Sequence, residues 1–326
     1  MAEGNKIVFL DVITPAMHRV IAANAPEGFE LVFAYADTEE KAADAVADAD
    51  YVLLWSAYAP KRVVEAAKKA RLIQKIGEGT DRIDVATAAR LGIPVAKTSG
   101  SNSASVAELA TLLILATMRR LPQAHNSLIS GQWLKFELRP GSYELRGKQV
   151  GIVGLGKIGK MVARQVRGFD CSTVYYDVVR PPEAMEIDLG VRFMEMDDLL
   201  RTSDVVTLHV PSLPETRGMI GSRELGLMKP NAILVNTCRA AVVDEEALYR
   251  ALKEKRIRGA GIDVFTKEPP DPNHPFFSLD NVVVTPHYGG GTEDAEIEGV
   301  RHGFANIVKV SQGLPLDPAD LAPVPR

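Results

Sequence analysis

The amino-acid sequence alternates short runs of apolar, often β-branched residues with longer amphipathic segments, and it does so in two series. In the first series, strands are predicted over residues 6–11, 29–34, 51–55, 72–76 and 93–97. In the second, they are predicted over residues 149–153, 173–177, 204–210, 232–236, 259–263 and 282–285. Parallel strands need a crossover between them, and the amphipathic segments supply it. The chain of 326 residues is therefore expected to fold as two α/β domains, each with a helix-covered parallel sheet.

Three segments interrupt this alternation. Residues 103–120 have an almost wholly apolar centre, which predicts one long buried helix. Residues 131–147 show no periodicity and are expected to be irregular. A last helix is predicted over residues 292–312, after all the strands, and a proline-rich extended tail follows it.

The composition argues against several classes of protein. Lys and Arg number 38 against 42 Asp and Glu, a net charge of −4, so the cationic excess of a nucleic-acid-binding protein is missing. Cys171 and Cys238 are too few for a disulfide framework. No signal-peptide pattern opens the sequence, and the apolar run at residues 109–118 is too short to span a bilayer. We expect a cytoplasmic protein with no metal, nucleic-acid or membrane partner.

A glycine-rich loop follows the first strand of the second series. Gly154, Gly156 and Gly159 fit the spacing G-x-G-x-x-G between a predicted strand and a helix expected to continue to Phe169. Glycine permits the tight turn, the approach of a pyrophosphate to the backbone, and close packing of the helix on the strand. The pattern predicts a dinucleotide site.

An acidic residue indicates which dinucleotide is bound. Asp177 ends the next predicted strand, close to the spacing of about 20 residues at which a carboxylate binds the adenosine ribose. Its charge would repel a 2′-phosphate, so NAD is favoured and NADP is disfavoured. Arg180, slightly further on, keeps the binding of NADP open.

Three further segments follow the glycine loop in order. They are residues 236–245 (N-T-C-R-A-A-V-V-D-E), 261–269 (G-I-D-V-F-T-K-E-P) and 285–290 (T-P-H-Y-G-G). Together with residues 105–108 and 204–211, they resemble the motifs of the NAD-dependent D-isomer-specific 2-hydroxyacid dehydrogenase family. The resemblance covers nearly the whole chain.

The resemblance implies two Rossmann- and flavodoxin-like, doubly wound parallel-sheet domains. The NAD-binding domain, residues 103–288, would be inserted into a discontinuous substrate-binding (catalytic) domain made of residues 1–102 and 289–326. The active site would lie in the cleft between the domains. The family also implies a homodimer, with residues 121–143 as the arm that reaches the partner.

The implied reaction transfers a hydride between NAD(H) and a small D-2-hydroxy acid or 2-keto acid. His287 would be the acid and base, because imidazole changes its charge near neutral pH. Glu268 would orient the ring of His287 and favour its protonated form. Arg239 would bind the substrate carboxylate through its planar fork of N–H groups and polarise the keto group.

The same resemblance assigns the remaining site residues. Those expected at the cofactor are Gly154, Gly156, Lys157, Ile158, Gly159, Asp177, His209, Val210, Pro211, Thr216, Thr237, Cys238 and Asp263. Those expected at the substrate are Trp55, Tyr58, Glu78, Gly79 and Asn102. Among the cofactor residues, His209 is expected to serve packing or a backbone contact rather than catalysis, and Cys238 to fill space.

Two loops depart from the family pattern and bear on the substrate. Glu78 stands in the loop whose backbone N–H groups bind the substrate carboxylate in the family, where a second carboxylate would repel it. We expect Glu78 to point outward; the alternative is a polyhydroxy or amine-bearing substrate that Glu78 binds. Trp55 and Ala57 stand where phosphoglycerate dehydrogenases carry arginines, which favours a keto acid with an uncharged or aromatic side chain.

Other functions stay open on this scaffold. Within enzymes they are a glyoxylate or hydroxypyruvate reductase, a phosphoglycerate-type dehydrogenase, and a formate or phosphite dehydrogenase. Outside enzymes, the alternative is a non-catalytic NAD-sensing protein similar to the co-repressors of this fold. Turnover of a 2-keto acid would separate a 2-keto acid reductase from such a sensor.

Overall fold

The computed structural model describes residues 5–324 of the chain. They form two compact units: the first is made of the residues up to Asn102 and those from Gly290 onward, and the second is Ser103–Gly289. The second junction lies one residue later than the sequence predicts. The reason is that the N–H of Gly289 donates to Oδ2 of Asp263 at 2.8 Å, which holds Gly289 in the second unit.

Strands and helices alternate through most of the described residues. The strands are β1 Lys6–Phe9, β2 Glu30–Phe33, β3 Tyr51–Leu54, β4 Leu72–Lys75, β5 Val95–Lys97, β6 Gln149–Val153, β7 Ser172–Tyr176, β8 Val191–Phe193, β9 Val205–Leu208, β10 Ile233–Asn236, β11 Gly259–Ile262 and β12 Val282–Val284. The helices are α1 Pro15–Ala23, α2 Glu39–Val46, α3 Lys61–Ala66, α4 Val85–Arg90, α5 Ser103–Met118, α6 Leu121–Ile129, α7 Lys157–Arg167, α8 Glu183–Leu189, α9 Met196–Thr202, α10 Ser222–Leu227, α11 Glu245–Lys253 and α12 Glu293–Ser311.

The first unit is built on a five-stranded parallel sheet with the order β2-β1-β3-β4-β5. Strand β3 is buried along its whole length, which is why it is apolar without alternation. Helix α12 is last in the chain, yet it packs on this sheet through Val300, Phe304 and Ile307. The C-terminal segment is tied to the edge strand, because the N–H of Ala322 donates to the carbonyl oxygen of Val95 at 2.9 Å.

The second unit is built on a seven-stranded parallel sheet with the order β12-β11-β10-β9-β6-β7-β8. Strand β6 pairs with β7 on one side and with β9 on the other, so the strand order reverses between β6 and β9. In open α/β sheets, ligands bind beyond the carboxyl ends of the strands at such a point. With both sheets entirely parallel, the predicted fold class of two doubly wound α/β domains is confirmed.

Helix α5 is the long apolar segment that the sequence predicts, and it packs on α7, β10 and β11. A Cβ on Gly261 of β11 would lie only 2.9 Å from Cβ of Leu113, so glycine is needed for this close approach. Helix α5 ends at Met118 rather than at Arg120, because Arg120 adopts a left-handed φ of 53° before α6 begins. In the part of the chain that the structure describes, no helix combines the length and hydrophobicity of a membrane span.

Candidate active site

The glycine loop lies between β6 and α7, where the strand order reverses. Gly154 has a φ of +94°, and a Cβ on it would lie 2.7 Å from the carbonyl oxygen of His209. A Cβ on Gly159 would lie 2.1 Å from the carbonyl oxygen of Gly154, so α7 can approach the loop only without a side chain there. Gly156 caps α7 without a side-chain hydrogen bond, and the space beside its Cα is open. A helix N-terminus of this kind offers backbone N–H groups to a pyrophosphate.

Asp177 directly follows β7, and its carboxylate is fixed beside the glycine loop. Oδ2 accepts the N–H of Leu155 at 2.7 Å, and Oδ1 accepts the N–H of Val179 at 2.9 Å. The remaining lone pairs of this carboxylate can accept the hydroxyls of a ribose. Lys157 and Ile158 form the first turn of α7, and the side chain of Ile158 packs on the apolar core of the second unit.

The segment after β9 contacts the glycine loop. Besides the carbonyl group of His209, a Cγ atom of Val210 would lie 2.9 Å from a Cβ on Gly154. Burial lowers the pKa of His209 to about 3, so its ring is neutral, and Nε2 is 2.9 Å from Oγ1 of Thr207. His209 therefore packs rather than titrates near neutral pH.

Two other predicted cofactor residues, Pro211 and Thr216, lie further along the segment that follows β9. The hydroxyl of Thr216 donates to the carbonyl oxygen of Pro211 at 2.6 Å and accepts the N–H of Leu213 at 2.8 Å. These bonds fold residues 211–216 into a compact turn after β9.

The loop after β10 contributes two predicted cofactor residues. Sγ of Cys238 donates to Oδ1 of Asn236 at 3.1 Å, and burial raises the pKa of Cys238 to about 11. Cys238 is therefore a neutral thiol at physiological pH. Thr237 is buried, and its Oγ1 makes no hydrogen bond to any residue in the described part of the chain.

Arg239 ends the same loop. Its carbonyl oxygen accepts a hydrogen bond from Nδ2 of Asn236 at 3.0 Å, and its Nη1 donates to the carbonyl oxygen of Cys238 at 2.7 Å. The buried amide of Asn236 thus fixes the backbone that carries the guanidinium. Sequence reasoning gave Asn236 no role, although the residue opens the N-x-x-R segment in which Arg239 lies.

His287 and Glu268 form a direct pair. Nδ1 of His287 is 2.8 Å from Oε2 of Glu268, and Oε1 of Glu268 accepts the N–H of Phe265 at 3.2 Å. The His287 side chain is 46% exposed and the Glu268 side chain 25%. The carboxylate holds one ring nitrogen and leaves Nε2 as the atom that can exchange a proton with a substrate.

Asp263 holds the loop that carries His287. Its side chain is buried, Oδ1 accepts the hydroxyl of Thr285 at 2.5 Å and the N–H of Tyr288 at 2.8 Å, and Oδ2 accepts the N–H of Gly289. Burial raises the pKa of Asp263, although these hydrogen bonds oppose the shift. His287 itself has a left-handed φ of 52°, a strained conformation that this anchoring maintains.

The first unit carries the residues expected at the substrate. Trp55 is partly buried, and its backbone N–H donates to Oδ2 of Asp11 at 2.6 Å. The N–H of Ala57 donates to Oδ1 of the same carboxylate at 2.7 Å, so the buried Asp11 fixes the loop after β3. Tyr58 is exposed, and the guanidinium of Arg82 lies 4.7 Å from its ring centre. Sequence reasoning missed Asp11, whose only signal is an acid directly after a buried strand.

The Glu78 side chain is 43% exposed, and its carboxylate is bound by groups of the first unit. It forms an ion pair with Lys97, and its Oε2 accepts the N–H of Gly100 at 3.1 Å. Gly79 follows it in the loop after β4. Asn102 contacts Gly290, where an added Cβ would lie 2.6 Å from its Nδ2.

Similarity to known proteins shows which family the chain belongs to. Residues 111–289 match the family model described as D-isomer specific 2-hydroxyacid dehydrogenase, NAD binding domain. A glyoxylate reductase of Thermococcus litoralis is 44% identical over 253 residues, which are 76% of this chain and 74% of that one. The chain belongs to the D-isomer specific 2-hydroxyacid dehydrogenase family.

Other members and neighbours of this dehydrogenase family are also similar. A D-3-phosphoglycerate dehydrogenase of Methanocaldococcus jannaschii is 40% identical over 304 residues, 93% of this chain, and the chain spans 57% of the length of that protein. The structure of the NAD-dependent formate dehydrogenase of Staphylococcus aureus in complex with NAD has a TM-score of 0.86 at 27% identity, covering 98% of this chain and 99% of that one. The family resemblance predicted from the motifs is confirmed.

The second unit, which the family model matches as an NAD binding domain, has features that fit NAD. Gly156 leaves open space beside the N-terminus of α7, where a pyrophosphate could approach, and the carboxylate of Asp177 lies beside the loop, where it could accept ribose hydroxyls. The buried Oγ1 of Thr237 can bond a cofactor atom. Within residues 5–324, no group of three or more His, Cys, Asp or Glu side chains could hold a metal ion.

Proposed function

We propose that the protein reduces a small 2-keto acid to the D-2-hydroxy acid with NADH and catalyses the reverse reaction. The observation that carries this proposal is the His287–Glu268 pair, whose 2.8 Å contact lies in the NAD-binding unit. A keto group that accepts a hydride must also accept a proton, and an imidazole held by a carboxylate is suited to supply it.

Each residue of the site has a distinct task in this reaction. Arg239 binds the substrate carboxylate and polarises the keto group through charge-assisted hydrogen bonds. Nε2 of His287 gives its proton to the keto oxygen, while Glu268 holds Nδ1 and orients the ring. When bound, NADH supplies the hydride that adds to the carbonyl carbon. The products are the D-2-hydroxy acid and NAD⁺, and the partly exposed His287 regains a proton from solvent.

The proposed substrate is a small keto acid with an uncharged side chain, of the glyoxylate or hydroxypyruvate type. The similarity to a protein named glyoxylate reductase supports this class. Trp55 and Tyr58 bring aromatic side chains to the loop after β3, and the carboxylate of Glu78 is already paired with Lys97. Backbone N–H groups around Gly79, with Asn102, would bind the acid group of the substrate.

A phosphoglycerate-type dehydrogenase is the second candidate, and Arg82 favours it. Trp55 and Ala57 stand where phosphoglycerate dehydrogenases are expected to carry arginines. Yet Nη1 of Arg82 donates to the carbonyl oxygen of Ser56 at 2.7 Å, so a cation lies beside the same loop. Arg82 could bind the phosphate of phosphohydroxypyruvate in their place.

We also propose a homodimer formed through residues 121–143. Apolar side chains that are exposed on one chain support this assembly: Leu128, Ile129, Trp133 and Phe136. A second copy that covers them would remove this apolar area from water.

The test is oxidation of NADH and of NADPH against a panel of 2-keto acids: pyruvate, glyoxylate, hydroxypyruvate, phenylpyruvate and phosphohydroxypyruvate. We expect the largest kcat/KM with NADH and a 2-keto acid whose side chain is uncharged. A preference for phosphohydroxypyruvate that Arg82→Ala abolishes would establish the second candidate instead. NADH binding without turnover of any acid would contradict the proposed reaction and favour an NAD-sensing protein.

A further inference from the structure

A buried acid lies close to the proposed ribose site and is unused by the reaction. Glu186, on α8, has a side chain that is only 9% exposed, and its neighbours on the same helix, Met185 and Leu189, pack on the apolar core. A buried carboxylate is costly unless its oxygens are hydrogen-bonded. The position of Glu186 on a helix whose neighbouring side chains pack on the apolar core therefore needs an explanation.

Two side chains, Arg180 and Tyr175, donate hydrogen bonds to the buried carboxylate of Glu186. Oε1 of Glu186 accepts Nε of Arg180 at 2.8 Å, and Oε2 accepts Nη2 at 3.1 Å, a two-point ion pair. The hydroxyl of the fully buried Tyr175 also donates to Oε1. The Arg180 guanidinium lies 5.3 Å from the ring centre of Phe193 as well. Glu186 thus holds Arg180 by two of its nitrogen atoms, with the aromatic ring nearby.

The ionisation of this cluster agrees with its geometry. Hydrogen bonds from Arg180 and Tyr175 lower the pKa of Glu186, so the acid is ionised at neutral pH. Burial and the carboxylate together raise the pKa of Tyr175 to about 12, so the phenol keeps its proton. The cluster is therefore a charged carboxylate with a neutral donor and a cationic donor.

The location of Arg180 matters because of Asp177. An arginine near the carboxylate that binds the ribose is the residue type that accommodates the 2′-phosphate of NADP. In this chain the Arg180 side chain is 61% exposed, yet two of its nitrogen atoms donate to Glu186. To turn towards a 2′-phosphate, the guanidinium would have to leave both bonds, and Glu186 would stay buried without its ion-pair partner.

We propose that Glu186 determines cofactor selectivity by sequestering Arg180, so that the site takes NAD and rejects NADP. Asp177 repels the 2′-phosphate directly, and Glu186 withholds a nearby cation, Arg180, that could attract it. Glu186 is a positioning residue, because it acts through Arg180. The inference rests on the proposed ribose position at Asp177 and is independent of which keto acid is reduced.

The test measures binding of cofactor fragments to the ligand-free full chain by calorimetry. ADP-ribose and 2′-phospho-ADP-ribose differ only in the phosphate, so the ratio of their Kd values isolates its effect. Glu186→Gln keeps the shape and a hydrogen-bond acceptor for Tyr175 but loses the charge that holds Arg180. We expect the variant to shift the ratio at least tenfold towards 2′-phospho-ADP-ribose, because Arg180 could then donate charge-assisted hydrogen bonds to the phosphate.

Two further variants separate the mechanism from a general charge effect. Glu183→Gln removes the same charge from an exposed position of the same helix, and it should leave the ratio unchanged. Adding Arg180→Ala to Glu186→Gln should abolish the gain. An unchanged ratio in Glu186→Gln, or an equal shift in Glu183→Gln, would overturn the proposal.

Arg180→Ala in the otherwise unchanged chain gives a test that does not depend on the folding of the Glu186 variant. A sequestered arginine contributes nothing to the 2′-phosphate, so we expect the same ratio as in the wild type. A tenfold loss of 2′-phospho-ADP-ribose binding would show that Arg180 already serves the phosphate and would refute the inference. Failure of the ribose site itself has a different signature: Asp177→Ala would then leave the Kd of ADP-ribose unchanged.

Discussion

Replacing Gly159 by alanine should destabilise the NAD-binding unit through a single steric conflict. The new Cβ would lie 2.1 Å from the carbonyl oxygen of Gly154, whereas ordinary contacts begin at 3.4 Å. Both atoms belong to the main chain or are fixed to it, so α7 must move away from the loop by roughly 1 Å. Overpacking of this kind costs about 1–3 kcal/mol. For a domain of 150–250 residues, each kcal/mol lowers Tm by about 2–4 °C.

Gly156→Ala is the matched control, since it adds the same methyl group in the same loop. Nothing lies within 4 Å of a Cβ at Gly156, so Tm should stay within about 2 °C of the wild type. The added methyl group would instead meet the pyrophosphate, and we expect about a tenfold loss of NADH affinity, or about 1.4 kcal/mol. Scanning calorimetry of the ligand-free full chain and a fluorescence titration with NADH measure the two effects.

The two variants should therefore separate stability from binding. A Gly159→Ala protein with the Tm of the wild type would refute the argument that close helix packing demands the third glycine. Equal losses of Tm in both variants would refute it too, because the structure gives only one of them a steric conflict.

Three more predictions concern groups outside the reacting pair. Burial raises the pKa of both Cys171 and Cys238, so both thiols should react slowly in the native protein. Iodoacetamide at pH 8 should leave them unmodified, as detected by mass spectrometry, over a time in which it alkylates the urea-unfolded chain. Rapid modification of the native protein would contradict this prediction. Burial opposes ionisation of Asp320, but its hydrogen bonds with His302, Ser99 and Asn306 outweigh it and lower its pKa. The resulting stability is present above the ordinary pKa of 3.8 and is lost as pH falls through the folded value. Asp320→Asn should then cost about 1–3 kcal/mol at pH 7 and clearly less at pH 3, measured by urea unfolding, and an equal cost at both pH values would argue against it. Glu78→Gln should leave the order of kcat/KM values among the keto acids unchanged, because Lys97 and the N–H of Gly100 already bind this carboxylate. A different order in the keto-acid panel would show that Glu78 contacts the substrate.

The parts of the fold and site that could be predicted are those determined by residues close together in the sequence. Apolar runs and amphipathic spacing define strands and helices locally, so most strands lie within one or two residues of their predicted bounds. The glycine loop is equally local, and the steric reasons for Gly154 and Gly159 appear in the structure as expected. The contact between His287 and Glu268 was predictable only through the family motifs, because 19 residues separate the two side chains.

The parts that sequence could not predict depend on which distant loops the fold brings together. Asp11 binds a loop that lies 44 to 46 residues further along the chain, and no periodicity encodes that pairing. The ion pair between Glu78 and Lys97, at the end of the neighbouring strand, was likewise not predicted. Helix α6 and the short edge strand β8 were not predicted, because a proline near the start of α6 and the three-residue length of β8 weaken their patterns.

The central claim is that His287 supplies the proton for reduction of a 2-keto acid by NADH. Its most direct test is the single-turnover rate of NADH oxidation by His287→Gln, with the acid that the wild type reduces fastest and with the Kd of NADH measured alongside. If His287 is the proton donor, the rate should be lower by about 10²–10⁴ and the NADH affinity close to that of the wild type. A variant that turns over at the rate of the wild type would contradict it.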